Sequence, residues 1–124
     1  MRALNKFRFE NLEIWQRSVE VARKLFRIAD ALEKKKLYRF ADQIRGAGLS
    51  MPNNIAEGSG STSKKEFIQF LNITRRSTFE NASMIIIFKK ENLISEKESD
   101  EILQDLDELC RMTTAFSNSL KSKL

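Results

Sequence analysis

The sequence predicts an all-α protein, an antiparallel up-down-up-down four-helix bundle, and three observations carry that prediction. Apolar residues recur at alternating spacings of three and four along four separate segments. Glycine (4) and proline (1) are too scarce in 124 residues to supply the many turns of a β fold. Serine caps and a Gly/Ser stretch divide the chain where helices joined by short connections need punctuation. At this length one domain, residues 1–124, buries a sizeable core without disulfides or metals.

Helix one is expected over about 12–33. Leu12, Trp15, Val19, Ala22, Phe26 and Ala29 line one face, and Val21, Leu25, Ile28 and Leu32 form a second row beside it. The resulting apolar face is broad, as a bundle helix requires. Asn11 is the expected N-cap, and Lys34–Lys36 places cations at the carbonyl end. Helix two follows over about 37–57, with Phe40, Ile44, Ala47, Met51 and Ile55 as its stripe. Pro52 falls inside this pattern and predicts a kink or break near Gly48–Met51. Gly58 is the expected C-cap, opening the loop Gly58-Ser59-Gly60-Ser61.

Helix three is expected over about 63–90, capped by Thr62 or Ser63, with Glu66 completing a capping box on Ser63. Phe67, Phe70, Leu71 and Thr74 begin its inward face and Met84–Phe88 closes it, with small residues between. Helix four is expected over about 95–120, opened by a second capping box, Ser95 with Glu98. Ile102, Leu106, Leu109, Thr113, Phe116 and Leu120 form its inner row, and Ser117–Leu124 is expected to fray. Short connections make consecutive helices antiparallel.

The chemistry that is missing narrows the function. With no histidine there is no Ser-His-Asp triad, no His-ligated zinc and no Glu-x-x-His di-iron motif. The single cysteine, Cys110, cannot hold zinc or an iron–sulfur cluster, and its apolar neighbours Leu106, Leu109 and Met112 read it as a small buried hydrophobe. No catalytic centre and no cofactor are expected. Met1–Glu10 is basic but no apolar run follows it, and no stretch approaches the roughly 20 apolar residues of a membrane span. A cytoplasmic location without a membrane partner is the expectation.

Charge is the remaining asset. The net charge is +5, with a surplus of cations before residue 91 and of carboxylates after it. The candidate nucleic-acid footprint is Arg23, Lys24, Arg27, Lys34, Lys35, Lys36, Arg39, Arg45, Arg75 and Arg76. A surface lined this way attracts phosphates through counterion release, giving salt-sensitive affinity. The same cations equally suit a solvated face, or the acidic segment of a neighbouring subunit. Asn54, Glu57, Ser77 and Glu80 are polar residues near stripe positions. They read as a buried network or subunit contact that fixes helix register, the alternative being a carboxylate pair for acid/base or metal chemistry.

The run Gln43-Ile44-Arg45, then Ser50-Met51-Pro52-Asn53-Asn54-Ile55-Ala56-Glu57-Gly58, together with Phe67-Ile68-Gln69-Phe70-Leu71 and Ser77-Thr78-Phe79-Glu80, resembles a known family. It is similar to the four-helix bundle proteins encoded in intervening sequences of bacterial 23S ribosomal RNA genes, also labelled S23 ribosomal proteins. A related protein is the accessory variability determinant of diversity-generating retroelements. The opening Phe9-Glu10-Asn11-Leu12-Glu13-Ile14-Trp15-Gln16 extends the resemblance over nearly the whole chain. The resemblance implies an up-down-up-down bundle that assembles as a homopentamer. Through the retroelement relative it implies binding to RNA or DNA and to a reverse transcriptase. Thr74-Arg75-Arg76 departs from the pattern, since family members more often carry Ala and Gly there. The expected function is a non-enzymatic homo-oligomeric scaffold with a basic, RNA-binding surface, accessory to a ribonucleoprotein or reverse-transcriptase complex. The alternative is a protein–protein interaction module without a nucleic-acid ligand.

Overall fold

The computed structural model describes residues 7–124, and its regular structure follows the apolar periodicity. A 3-10 turn at Arg8–Asn11 leads into α1 (Glu13–Lys34), α2 (Tyr38–Ser59), α3 (Lys64–Lys90) and α4 (Glu96–Lys121). The six residues before Phe7, including part of the basic opening segment, lie outside the described residues.

The cross-helix contacts fix the direction of every helix. Arg45 of α2 meets Asp30 and Glu33 near the end of α1. Phe40 of α2 packs on Phe88 of α3, while Ser77 of α3 reaches Ala47 of α2. Phe67 of α3 packs on Phe116 of α4, and Lys24 and Arg17 of α1 reach Glu101 and Glu108 of α4. In α2–α3 and in α1–α4 one sequence number rises as the other falls, and short turns reverse the chain between α1 and α2 and between α3 and α4, so neighbouring helices are antiparallel and α4 closes the ring against α1. This is the up-down-up-down bundle. α1 and α3 lie on a diagonal, their backbones apart and their side chains meeting in the shared core.

Capping chemistry decides the ends. Ser63 and Ser95 both cap as expected, each accepting from the backbone N–H three residues on, of Glu66 and Glu98 (3.1 Å each). Only Ser95 completes the capping box, because the Glu66 carboxylate turns instead to Ser61. Asn11 is not the cap of α1. It is absorbed into the 3-10 turn, and Leu12 takes the cap position without a side-chain bond. At the far end of α1, Lys36 adopts a left-handed conformation (φ 64°), and Leu37 N–H returns to the Leu32 carbonyl (3.0 Å). Asn92 (φ 59°) and Leu93, bonding back to Phe88 (2.9 Å), repeat this at the end of α3. Both are Schellman stops built without glycine.

Pro52 does not break α2, which continues through it to Ser59. Gly58 is correspondingly inside the helix and not its C-cap. Its role is spatial, because a Cβ there would stand 2.7 Å from Phe70 Cβ and 2.8 Å from Phe67 Cδ1. The last turn of α2 and the first of α3 can meet only where there is no side chain. The C-terminal segment does not fray at Ser117, since α4 runs to Lys121 and Leu120 is buried.

Two apolar clusters fill the bundle. One holds Val21, Leu25, Ile28, Leu32, Ile44, Met51, Ile85, Leu106 and Leu109, and the other Ile14, Ile55, Phe67, Leu71 and Leu120. The second row of α1 is therefore its deepest; Trp15, Val19 and Phe26 of the first row are half-buried. Between the clusters in sequence lie the buried hydroxyls of Ser18, Thr74, Thr78 and Thr113, and each donates to a helix carbonyl. A hydroxyl bonded this way costs the interior little, whereas an unbonded one costs a few kcal/mol.

Candidate nucleic-acid interface

The charge surplus of α1 to α3 does not form one surface. Arg23 and Arg27 stand one turn apart on the exposed outer face of α1, and Lys34 lies further along the same helix. Lys34, Lys35, Lys36 and Arg39 are exposed around the α1–α2 turn. Arg75 and Arg76 are exposed on α3, the helix diagonal to α1, so the insertion of charge at Thr74-Arg75-Arg76 points outward while Thr74 and Ser77 stay buried.

Two members of the footprint are committed inside the chain. Lys24 Nζ lies 2.6 Å from Asp105 Oδ2 and 3.4 Å from Glu101. Arg17, which the sequence reading left out, places Nη2 2.9 Å from Asp105 Oδ1 and 3.3 Å from Glu108. The acidic segment of α4 thus meets the basic helix within one chain. Its hydrogen bond to Asp105 is the main reason that Lys24 holds its proton above the usual lysine range. Arg45 is gripped by Asp30 (2.8 Å), Glu33 (3.3 Å) and Asp42 (3.7 Å), and hydrogen bonds to Asp30 and then Glu33 raise its pKa.

Arg23, Arg27, Lys34, Lys36 and Arg39 make no ion pair or hydrogen bond to another side chain among the described residues. Lys35 reaches only the Leu93 carbonyl, at 3.4 Å. Lys90, exposed at the same end of the bundle, is a further cation unpaired among the described residues, which the basic last turn of α3 could have signalled. Together these form a basic strip from the middle of α1 to the α1–α2 turn.

A buried polar network joins α2 and α3 through Thr74, Ser77 and Asn81. Ser77 Oγ donates to the Ala47 carbonyl (3.0 Å), Asn81 Nδ2 to the Ala47 and Ser77 carbonyls (2.9 Å each), and Thr74 Oγ1 to the Met51 carbonyl (3.3 Å). These bonds attach α3 to the stretch of α2 just before Pro52, where the helix lacks one N–H donor. Of the four residues expected there, only Ser77 takes part. Asn54 is half-buried and bonds within its own helix, to Ser50. Glu57 and Glu80 are exposed and outside the network.

Between α3 and α4 lies an apolar groove of about 550 Å³, lined by Phe79, Ala82, Ile86, Ile87, Leu103 and Cys110 among others. Ile86 and Ile87, expected to close the inward face of α3, stand 42% and 49% exposed, and Ile85 and Phe88 do the closing. Cys110 is half-buried on the groove wall, not deep in the core. Among the described residues no helix is long and apolar enough to cross a membrane.

Comparison with known proteins agrees with this architecture. Residues 10–115 match the family model described as 23S rRNA-intervening sequence protein. A crystal structure of a protein of unknown function from the S23 ribosomal protein family, from Bacteroides thetaiotaomicron, superposes with a TM-score of 0.80 at 22% identity. The match covers 84% of this chain and 97% of that one. No curated protein matches.

Proposed function

We propose, from the premise that this chain belongs to the 23S rRNA-intervening sequence protein family, that it is a non-enzymatic, self-associating scaffold whose basic strip binds RNA. One observation carries the reading. Arg17, Lys24 and Arg45 are held by carboxylates, whereas Arg23, Arg27, Lys34, Lys36 and Arg39 are exposed and unpaired among the described residues. Cations that serve the fold find partners in it; cations free along one helix and its turn are available to phosphates. Such contacts give affinity that falls with salt and depends little on sequence. The same strip suits a structured RNA within a larger ribonucleoprotein, or one held jointly with a reverse transcriptase.

A filter-binding titration against a structured RNA at about 50 and 200 mM salt tests this. Micromolar or tighter binding that weakens at the higher salt is expected. Binding that is absent at both concentrations rejects it.

The apolar stretch of the α3/α4 groove formed by Ile86, Ile87 and Leu103 favours self-association, and with it the second reading, a protein-interaction module without RNA. Light scattering on wild type and on Ile87→Glu separates the two. Assembly that is lost while no RNA binds under any condition supports the module.

A further inference from the structure

Beyond Phe79, toward the start of α3, the groove between α3 and α4 changes character. Gln69, Asn72 and Arg75 of α3 face Thr114, Asn118 and Lys121 of α4 around a cavity of about 490 Å³, within the roughly 300–1,000 Å³ of small-ligand sites. No carboxylate lines it. Arg75 and Lys121 thus lack the acidic neighbours that hold Arg17, Lys24, Arg45 and Lys89. None of these six side chains makes a hydrogen bond among the described residues. At the upper edge the Arg75 guanidinium lies over the Phe79 ring, 5.3 Å from its centroid, and Phe79 is 57% exposed. The aromatic neighbour that the sequence reading did not credit to the cations is one helical turn from Arg75.

A ligand matching this face needs negative charge for Arg75 and Lys121, donor and acceptor edges for the amides, and a flat face for Phe79. An unpaired nucleotide has all three. A duplex conceals base faces in its stack, and single strands are the form that proteins read by stacking and by base edges. We propose that the polar half of the α3/α4 face binds single-stranded nucleic acid. A base stacks on Phe79 beside Arg75, Asn72 and Gln69 bond the edge of its neighbour, and Lys121 holds a phosphate. This rests on the nucleic-acid reading above but uses a face distant from the strip on α1.

Fluorescence anisotropy with a short unstructured labelled RNA, and with the duplex of the same sequence, tests it. Phe79→Ala is expected to weaken single-strand binding about tenfold or more and to leave duplex binding unchanged. Phe79→Trp retains the affinity. Should Phe79→Ala fail to fold, Lys121→Ala, exposed and on the other helix, is expected to lower the single-strand salt slope by about one. Wild-type RNA binding that neither substitution alters overturns this site and leaves the α1 strip standing. Wild type binding neither RNA overturns both. Loss of assembly in Phe79→Ala with single-strand affinity intact also overturns it, assigning the face to a second copy.

Discussion

Lys24 Nζ lies 2.6 Å from Asp105 Oδ2, joining α1 to α4 across 81 residues of sequence. Asp105 also receives Arg17, so one carboxylate of low exposure gathers two cations and pins the seam that closes the bundle. Asp105→Ala is expected to cost about 1–2 kcal/mol in urea denaturation; the two cations remain partly hydrated, which keeps the loss below that of a fully buried pair. The same substitution removes one negative charge beside the basic strip, although Arg17 keeps Glu20 and Glu108 and Lys24 keeps Glu101. RNA affinity at low salt should therefore rise modestly, which titration of the variant checks.

The pH dependence of this pair has a definite sign. The folded state raises the Lys24 pKa above its ordinary 10.5, chiefly through the hydrogen bond to Asp105. Its contribution is complete below that ordinary value and is lost as pH rises through the folded pKa. Wild type should therefore lose more stability than Lys24→Met as pH rises above the ordinary lysine value of 10.5, measured as the midpoint of thermal unfolding. Parallel curves for the two would remove Lys24 from the account.

Gly58→Ala should destabilise despite alanine's better helix propensity. The overpacking against Phe67 and Phe70 costs about 1–3 kcal/mol and the propensity returns roughly 1. A net loss of up to about 2 kcal/mol in urea unfolding is expected. Gly46→Ala, with nothing within 4 Å of its added Cβ, is the internal control and should stabilise.

Lys36→Gly should gain stability. Lysine at φ 64° carries a left-handed penalty that glycine does not, and the Schellman hydrogen bonds are made by the backbone. The greater freedom of glycine in the unfolded chain offsets part of the relief. The expected net gain is about 0.5–1 kcal/mol, read by the same denaturation measurement.

The helices were legible because their signals are local. The Ser63 and Ser95 caps, the apolar rows and the Gly/Ser loop each act within a few residues. What escaped the sequence depends on residues far apart along the chain. Pro52 suggests a break when read alone, but Thr74, Ser77 and Asn81 of α3 bond α2 carbonyls immediately before it. Gly58 looks like a stop until Phe67 and Phe70 are seen against it. Lys24 and Arg45 look like free charge until Asp105 and Asp30 arrive from other helices. Glu57 and Glu80 fell near the stripe by spacing, yet a small rotation of the true apolar face leaves them in solvent. The Arg75–Phe79 pair was within reach, since residues four apart on a helix are neighbours.

The salt dependence of RNA binding by Arg23→Glu/Arg27→Glu tests the basic strip most directly. Each phosphate contact contributes about 0.7–0.9 to the slope of log affinity against log salt. Loss of two should flatten that slope by roughly 1.4 to 1.8 and weaken binding at low salt, with the fold unchanged by circular dichroism. A variant that binds RNA with the wild-type affinity and slope would contradict the assignment.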